Sequence, residues 1–113
     1  MTDIKNEIYE VIKQNLFMRL QRTDSMHRMS RQAAAAIAGS DRLARLMIQE
    51  LRNEGHRICS DSGKAGYYMA QVEADYMKLR KEMTHRAYEL LRTVRAMDNG
   101  PVPGQMEMEG AQI

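Results

Sequence analysis

The chain has no tryptophan, one phenylalanine, one cysteine and two prolines in 113 residues. A single thiol, Cys59, excludes an internal disulfide and leaves a structural zinc site without a second sulfur. Cys59 therefore reads as a small apolar residue of a strand. Long apolar runs are missing too. None approaches the ~18 residues that a membrane-spanning helix needs, and the amino terminus carries Asp3, Glu7 and Glu10 instead of a basic segment leading into an apolar one. The expectation is a soluble, cytoplasmic protein with no membrane partner. Catalytic patterns are equally scarce. His27, His56 and His85 are not at ligand spacing with one another, no glycine-rich phosphate loop with its lysine occurs, and no base stands beside Cys59. No enzyme activity, cofactor or metal is expected.

Hydrophobic residues make up 43% and charged residues 28%, the balance of a folded chain, and the length suits one domain with tails. Eleven methionines supply adaptable core packing, with a peptide-binding surface as the other reading. The net charge of +2 is unevenly spread: Arg19 to Lys64 holds nine basic residues against five acidic ones, whereas the first 18 residues sum to −1 and the last 16 hold three acids and no base. A basic centre suits a polyanionic partner, and a solvated mixed-charge face is its plainer counterpart.

Ile4, Ile8, Ile12 and Leu16 recur at every fourth position, joined by Val11 and Leu20, and predict an amphipathic helix over 3–21 capped by Thr2 or Asp3. Arg22-Thr23-Asp24-Ser25 breaks it, and Met26-His27-Arg28-Met29 alternates briefly. Ser30 caps an alanine-rich helix over 31–38, which Gly39 ends. Ser40-Asp41 offers a second cap at once, so a third helix over 41–54 must leave at an angle. That helix buries Ala44, Met47, Ile48 and Leu51 and shows Arg42, Arg45, Gln49 and Arg52 on its other side. Ile58-Cys59-Ser60, a glycine-containing loop and Tyr67-Tyr68-Met69 then read as a hairpin over 57–69. A lone hairpin is marginal in water, so Ile58 and one tyrosine should point into the helices.

A last helix over 72–97 carries Tyr76, Leu79, Met83, Ala87, Leu90, Val94 and Met97 at three- and four-residue steps. At 1.5 Å per residue it runs about 39 Å, longer than the ~27 Å diameter of so small a core. The first helix is expected to pack along it. The overhanging stripe of Tyr76, Met83, Leu90, Val94 and Met97 would then pair with a second copy, giving a homodimer; the competing use of that stripe is to complete the monomer core. The chain thus divides into 1–21, 22–70, 71–97 and a flexible tail, 98–113.

Helix, Gly-Ser turn, helix, glycine and tyrosine-bearing hairpin, in "SRQAAAAIAGSDRLARLMIQELRNEGHRICSDSGKAGYYMA", together resemble a winged helix-turn-helix DNA-binding domain from about Met26 to Ala70. The closest likeness is to the small winged-helix proteins of phages and prophages. The resemblance implies a mainly α fold with a small β-hairpin wing, flanked by an N-terminal and a long C-terminal helix, and a regulator of transcription or replication initiation that binds double-stranded DNA in a bacterial cytoplasm. Helix 41–54 would enter the major groove, where arginine bonds guanine and glutamine bonds adenine; Arg42, Arg45 and Gln49 are the candidates, with Arg52 on the same side. Ser40 with the first amides of that helix, Arg31 and the wing residue Lys64 would hold the DNA backbone or, for Lys64, enter the minor groove. Two other readings compete. The arginines could merely pair with Asp41 and Glu50, or Leu43, Leu46 and the methionines could form the surface of a protein-interaction adapter. Gln105-Met106-Glu107-Met108-Glu109 distantly resembles the peptides by which bacterial replication proteins dock on the sliding clamp, which would imply a replication or transcription protein partner.

Overall fold

Among the residues described by the structure, a computed structural model covering 2–61 and 64–102, four helices and one antiparallel hairpin follow in order. They are α1 (Thr2–Leu20), α2 (Arg31–Ala38), α3 (Asp41–Asn53), β1 (Ile58–Asp61), β2 (Lys64–Met69) and α4 (Glu73–Asp98). The expected tail beyond Val102 lies outside the described residues. No helix among the described residues is long and apolar enough to cross a membrane.

The inner face of α1 differs from the fourth-residue pattern. Leu16 and Leu20 are fully buried with Ile12 packed against them, whereas Ile4, Ile8 and Val11 stand exposed. The cause is geometric. A four-residue step overshoots one helical turn by about 40°, so Ile4 and Leu20 lie about 160° apart and cannot share a face. The buried residues of α1 enter a core with Ala34 and Ala38 of α2, Ala44, Met47, Ile48 and Leu51 of α3, and Ile58 and Tyr67 of the hairpin.

A polar network fixes α1 to α3 beside that core. The ammonium of Lys13, 5% exposed, is 3.4 Å from Glu10, 3.8 Å from Glu50 and 3.7 Å from Glu54, and the Tyr9 hydroxyl donates to Glu50. Burial opposes the charge on Lys13, but Glu10, Glu54 and Glu50 outweigh it and raise its pKa. Tyr9 is pushed up to about 12 by burial first and by Glu50 second.

Local chemistry sets the α2–α3 turn. Ser30 Oγ accepts from the Ala33 amide at 3.0 Å and Ser40 Oγ from the Leu43 amide at 3.0 Å, so each serine caps its helix. Between them Gly39 takes φ +109°, the left-handed conformation that ends α2, and its amide reaches the Ala35 carbonyl at 2.8 Å. At the far end of α3 the His56 amide bonds the Leu51 carbonyl and the Gly55 amide that of Arg52, which reverses the chain into β1.

The hairpin pairs Ile58 with Met69, Cys59 with Tyr68 and Asp61 with Lys64, so residues 65–67 of β2 stand opposite Ser60 alone. The bulge bends β2 enough for Tyr67 to pair on its other edge with Met29, Met29 N–H to Tyr67 O at 2.9 Å and the reverse at 2.8 Å. The two faces of the hairpin are both used. Ile58, Tyr67 and Met69 meet the helical core; Cys59 and Tyr68 lie under Leu79 of α4.

Cys59 is 1% exposed, with Sγ 3.7 Å from the Asp75 carbonyl and 3.9 Å from that of Arg57. Burial pushes its thiol pKa up, with the Asp75 charge adding to the effect. A buried thiol held protonated is a poor nucleophile. The native chain is therefore expected to react with a disulfide-exchange reagent about 100-fold or more slower than the urea-unfolded chain. Rapid stoichiometric labelling of the native protein would refute a tightly closed contact between the hairpin and the start of α4.

The chain divides into two units, Met1–Leu79 and Arg80–Ile113. The first holds the core just described. In the second, the rest of α4 buries no side chain among the described residues, and Met83, Leu90, Leu91, Val94 and Met97 are all exposed.

Candidate nucleic-acid interface

The two sides of α3 have opposite characters. Ala44, Met47, Ile48 and Leu51 lock one side into the core, and Arg42, Leu43, Arg45, Leu46, Gln49 and Asn53 are exposed on the other. The spacing of the four buried residues is that of one helical face, so the direction in which the arginines project is fixed by core packing.

Arg42 has no hydrogen bond or ion pair among the described residues. Gln49 Nε2 donates to Asn53 Oδ1 at 3.2 Å, a contact at the surface that leaves the Gln49 carbonyl unused. Arg45 and Arg31 meet at one carboxylate oxygen: Asp41 Oδ2 lies 3.0 Å from Arg45 Nε and accepts a hydrogen bond from Arg31 Nη2 at 3.1 Å. That hydrogen bond raises the pKa of Arg31 further. Thus α2 and α3 each contribute one arginine to an exposed pair that shares an aspartate, with Arg42 exposed on the same side of α3. Leu43, 38% exposed, and Leu46, 49% exposed, interrupt the polar side.

Several sequence-assigned residues are used differently. Arg52 belongs to the hairpin rather than to the open face: its Nε donates to the Ile58 carbonyl at 2.8 Å and Nη2 to Ser60 Oγ at 3.2 Å. The reversal after α3 brings β1 within reach of its last turn, and a long cation there satisfies strand oxygens. The Ser40 hydroxyl is occupied as a cap, although the start of α3 remains exposed around it. Lys64 is the first residue of β2, paired with Asp61 through the backbone; its side chain lies outside the described residues. Tyr76 is half-buried beneath the guanidinium of Arg57, 4.0 Å from the ring centre, and so does not join the exposed stripe of α4. Arg57 is held in turn by Glu73 at 2.7 Å. His56 packs against Phe17 of α1, with ring centres 4.1 Å apart and planes tilted by 35°.

Of the pairings open to the arginines, Asp41 to Arg45 at i,i+4 was legible by helix spacing alone. Glu50 pairs elsewhere, with Tyr9 and Lys13. The junction of Arg31 with Arg45 through Asp41 had no sequence signal, because it depends on the angle at Gly39. No group of three or more His, Cys, Asp or Glu side chains suited to a metal occurs among the described residues. No protein-family model, curated protein or solved structure was found to match the chain.

Proposed function

We propose that the chain is a winged-helix DNA-binding protein, a sequence-specific regulator of transcription or replication initiation of the phage or prophage type. In this reading α3 is the recognition helix in the major groove and the β1–β2 hairpin is the wing. The observation that carries it is the exposed side of α3. Arg42, Arg45 and Gln49 project from a helix whose opposite side is anchored by four buried residues, and rigid presentation of forked donors is what reading base edges requires. Arg31 lies beside them on α2, paired with Asp41 through Nη2, and its other guanidinium nitrogens would serve a phosphate. The exposed stripe of Met83, Leu90, Val94 and Met97 on α4 would join two copies, so that two recognition helices address two half-sites.

Selection from a random duplex library at physiological salt, with wild type and an Arg42→Ala/Arg45→Ala variant side by side, tests the reading. The wild type is expected to enrich a motif, palindromic for a dimer, and the variant to enrich none. Weak binding of both chains without enrichment would sink base reading. The exposure of Leu43 and Leu46 favours a second reading, an adapter that binds a protein through this face. Salt separates the two: contact with about five phosphates gives a slope near −0.9 per phosphate in log affinity against log salt, whereas an apolar interface barely responds.

A further inference from the structure

Asp41 is out of place on a face that binds DNA. A carboxylate between two exposed arginines repels every phosphate that approaches, so for affinity alone it is a defect. Its geometry gives it another use. Arg45 meets Asp41 as an ion pair, Nε 3.0 Å from Oδ2, with no hydrogen bond to the carboxylate, so the two Nη groups at the end of the side chain stay uncommitted. Those end groups are a forked donor of the shape that guanine O6 and N7 accept. Arg31 meets the same Oδ2 through Nη2, so the carboxylate also holds the α2 arginine to the α3 arginine.

We infer that Asp41 is the specificity-positioning residue of this surface: it orients Arg45 for a base and restrains both arginines from indiscriminate phosphate binding. The inference rests on the DNA-binding reading and adds to it a trade of affinity for selectivity. An arginine free to rotate reaches whichever phosphate is nearest; one paired with a carboxylate of its own helix is spent on one position. Asp41 also stands in the first turn of α3, where any acid is favoured by the helix dipole, so the test must separate positioning from helix stability.

The experiment uses the full chain as wild type, Asp41→Asn, Arg45→Ala and the double variant. Each is titrated against the duplex selected by the wild type, against that duplex with each base pair changed in turn, and against a scrambled duplex, over a range of salt. Asp41→Asn is expected to bind the scrambled duplex more tightly at low salt, with a slope steeper by about one to two units as two arginines turn to phosphates. At one base pair per half-site its discrimination should fall by roughly 5- to 150-fold, the worth of one bidentate contact. In the Arg45→Ala background the same change should cost no further discrimination. Retention of the wild-type motif and discrimination by Asp41→Asn overturns the inference alone, as does equal weakening on every duplex together with a lowered unfolding midpoint, the mark of a merely structural role. A wild type that prefers no duplex overturns the DNA-binding reading and this assignment with it.

Discussion

Gly66→Ala is expected to cost about 2 to 5 kcal/mol of folding stability, a large share of the ~5–15 kcal/mol that holds a domain of this size. Two constraints meet at this glycine. Its φ is +117°, a conformation that side chains with a Cβ rarely adopt, and a Cβ there would lie 2.8 Å from the Met29 carbonyl oxygen. That oxygen is backbone, and it is the acceptor for the Tyr67 amide across the bridge. The chain can relieve the overlap only by moving Met29 away, which breaks the paired hydrogen bonds and lifts Tyr67 from the core. Gly39→Ala supplies the control. Its φ is +109°, but the added Cβ meets only Leu43 Cδ1 at 3.6 Å, ordinary contact, so the conformational strain of about 1 to 2 kcal/mol stands alone. Urea unfolding of the two variants measures the difference. Equal losses would mean that the Met29 strand edge yields freely and that the bridge contributes little.

The contrast between those glycines parallels what the sequence discloses. Gly39 and its serine caps are read directly, because each acts on backbone groups three or four residues away, and α2 lies where the caps put it. The hairpin was legible from two short apolar stretches around a glycine-containing loop, and its leaning on the helices from the weakness of an isolated ribbon. The bulge was hidden. Nothing in Lys64-Ala65-Gly66 announces that β2 pairs on both edges. On α1, the repeated four-residue step suggested one face where the helix has two, an error of angle that grows with every turn.

For the candidate site, exposure of Arg42, Arg45 and Gln49 followed from the period of the buried residues. What could not follow were contacts between distant positions. Arg52 is claimed by strand oxygens, Tyr76 by Arg57 and Glu50 by Tyr9 on another helix. In each case the sequence presents a plausible surface residue, and the fold brings it a partner from 6 to 41 positions away. Long polar side chains are the hardest to assign, because their reach lets a neighbouring element decide their use.

Arg28→Met should show a second large loss, about 2 to 4 kcal/mol near neutral pH. Arg28 Nη2 donates to Asp61 Oδ2 at 2.8 Å, Nε donates to the Ser25 carbonyl at 2.9 Å, and the guanidinium lies 4.4 Å from the centre of the Tyr68 ring. Both ends of the Arg28–Asp61 pair are only 14% exposed, so removing the cation leaves a largely buried carboxylate with the Tyr68 hydroxyl and the exposed ammonium of Lys78, 3.8 Å away. The loss must depend on pH with a definite sign. The Arg28 hydrogen bond lowers the Asp61 pKa more than burial raises it. A carboxylate depressed in the folded state stabilises the protein above its unfolded pKa, about 3.9, and that stability drains away as pH falls through the folded value. Arg28→Met removes the main depressing cause, so its stability should be lower at pH 7 and decline less on acidification. The two curves should converge below about pH 4. Asp61→Asn should flatten the acid limb in the same way. Adding it to Arg28→Met should recover part of the loss, because no unpaired charge then remains buried. Urea midpoints from about pH 7 to pH 2 decide it. Curves that stay parallel would remove Asp61 as the origin of the effect and assign the loss to packing of the arginine stem on Tyr68.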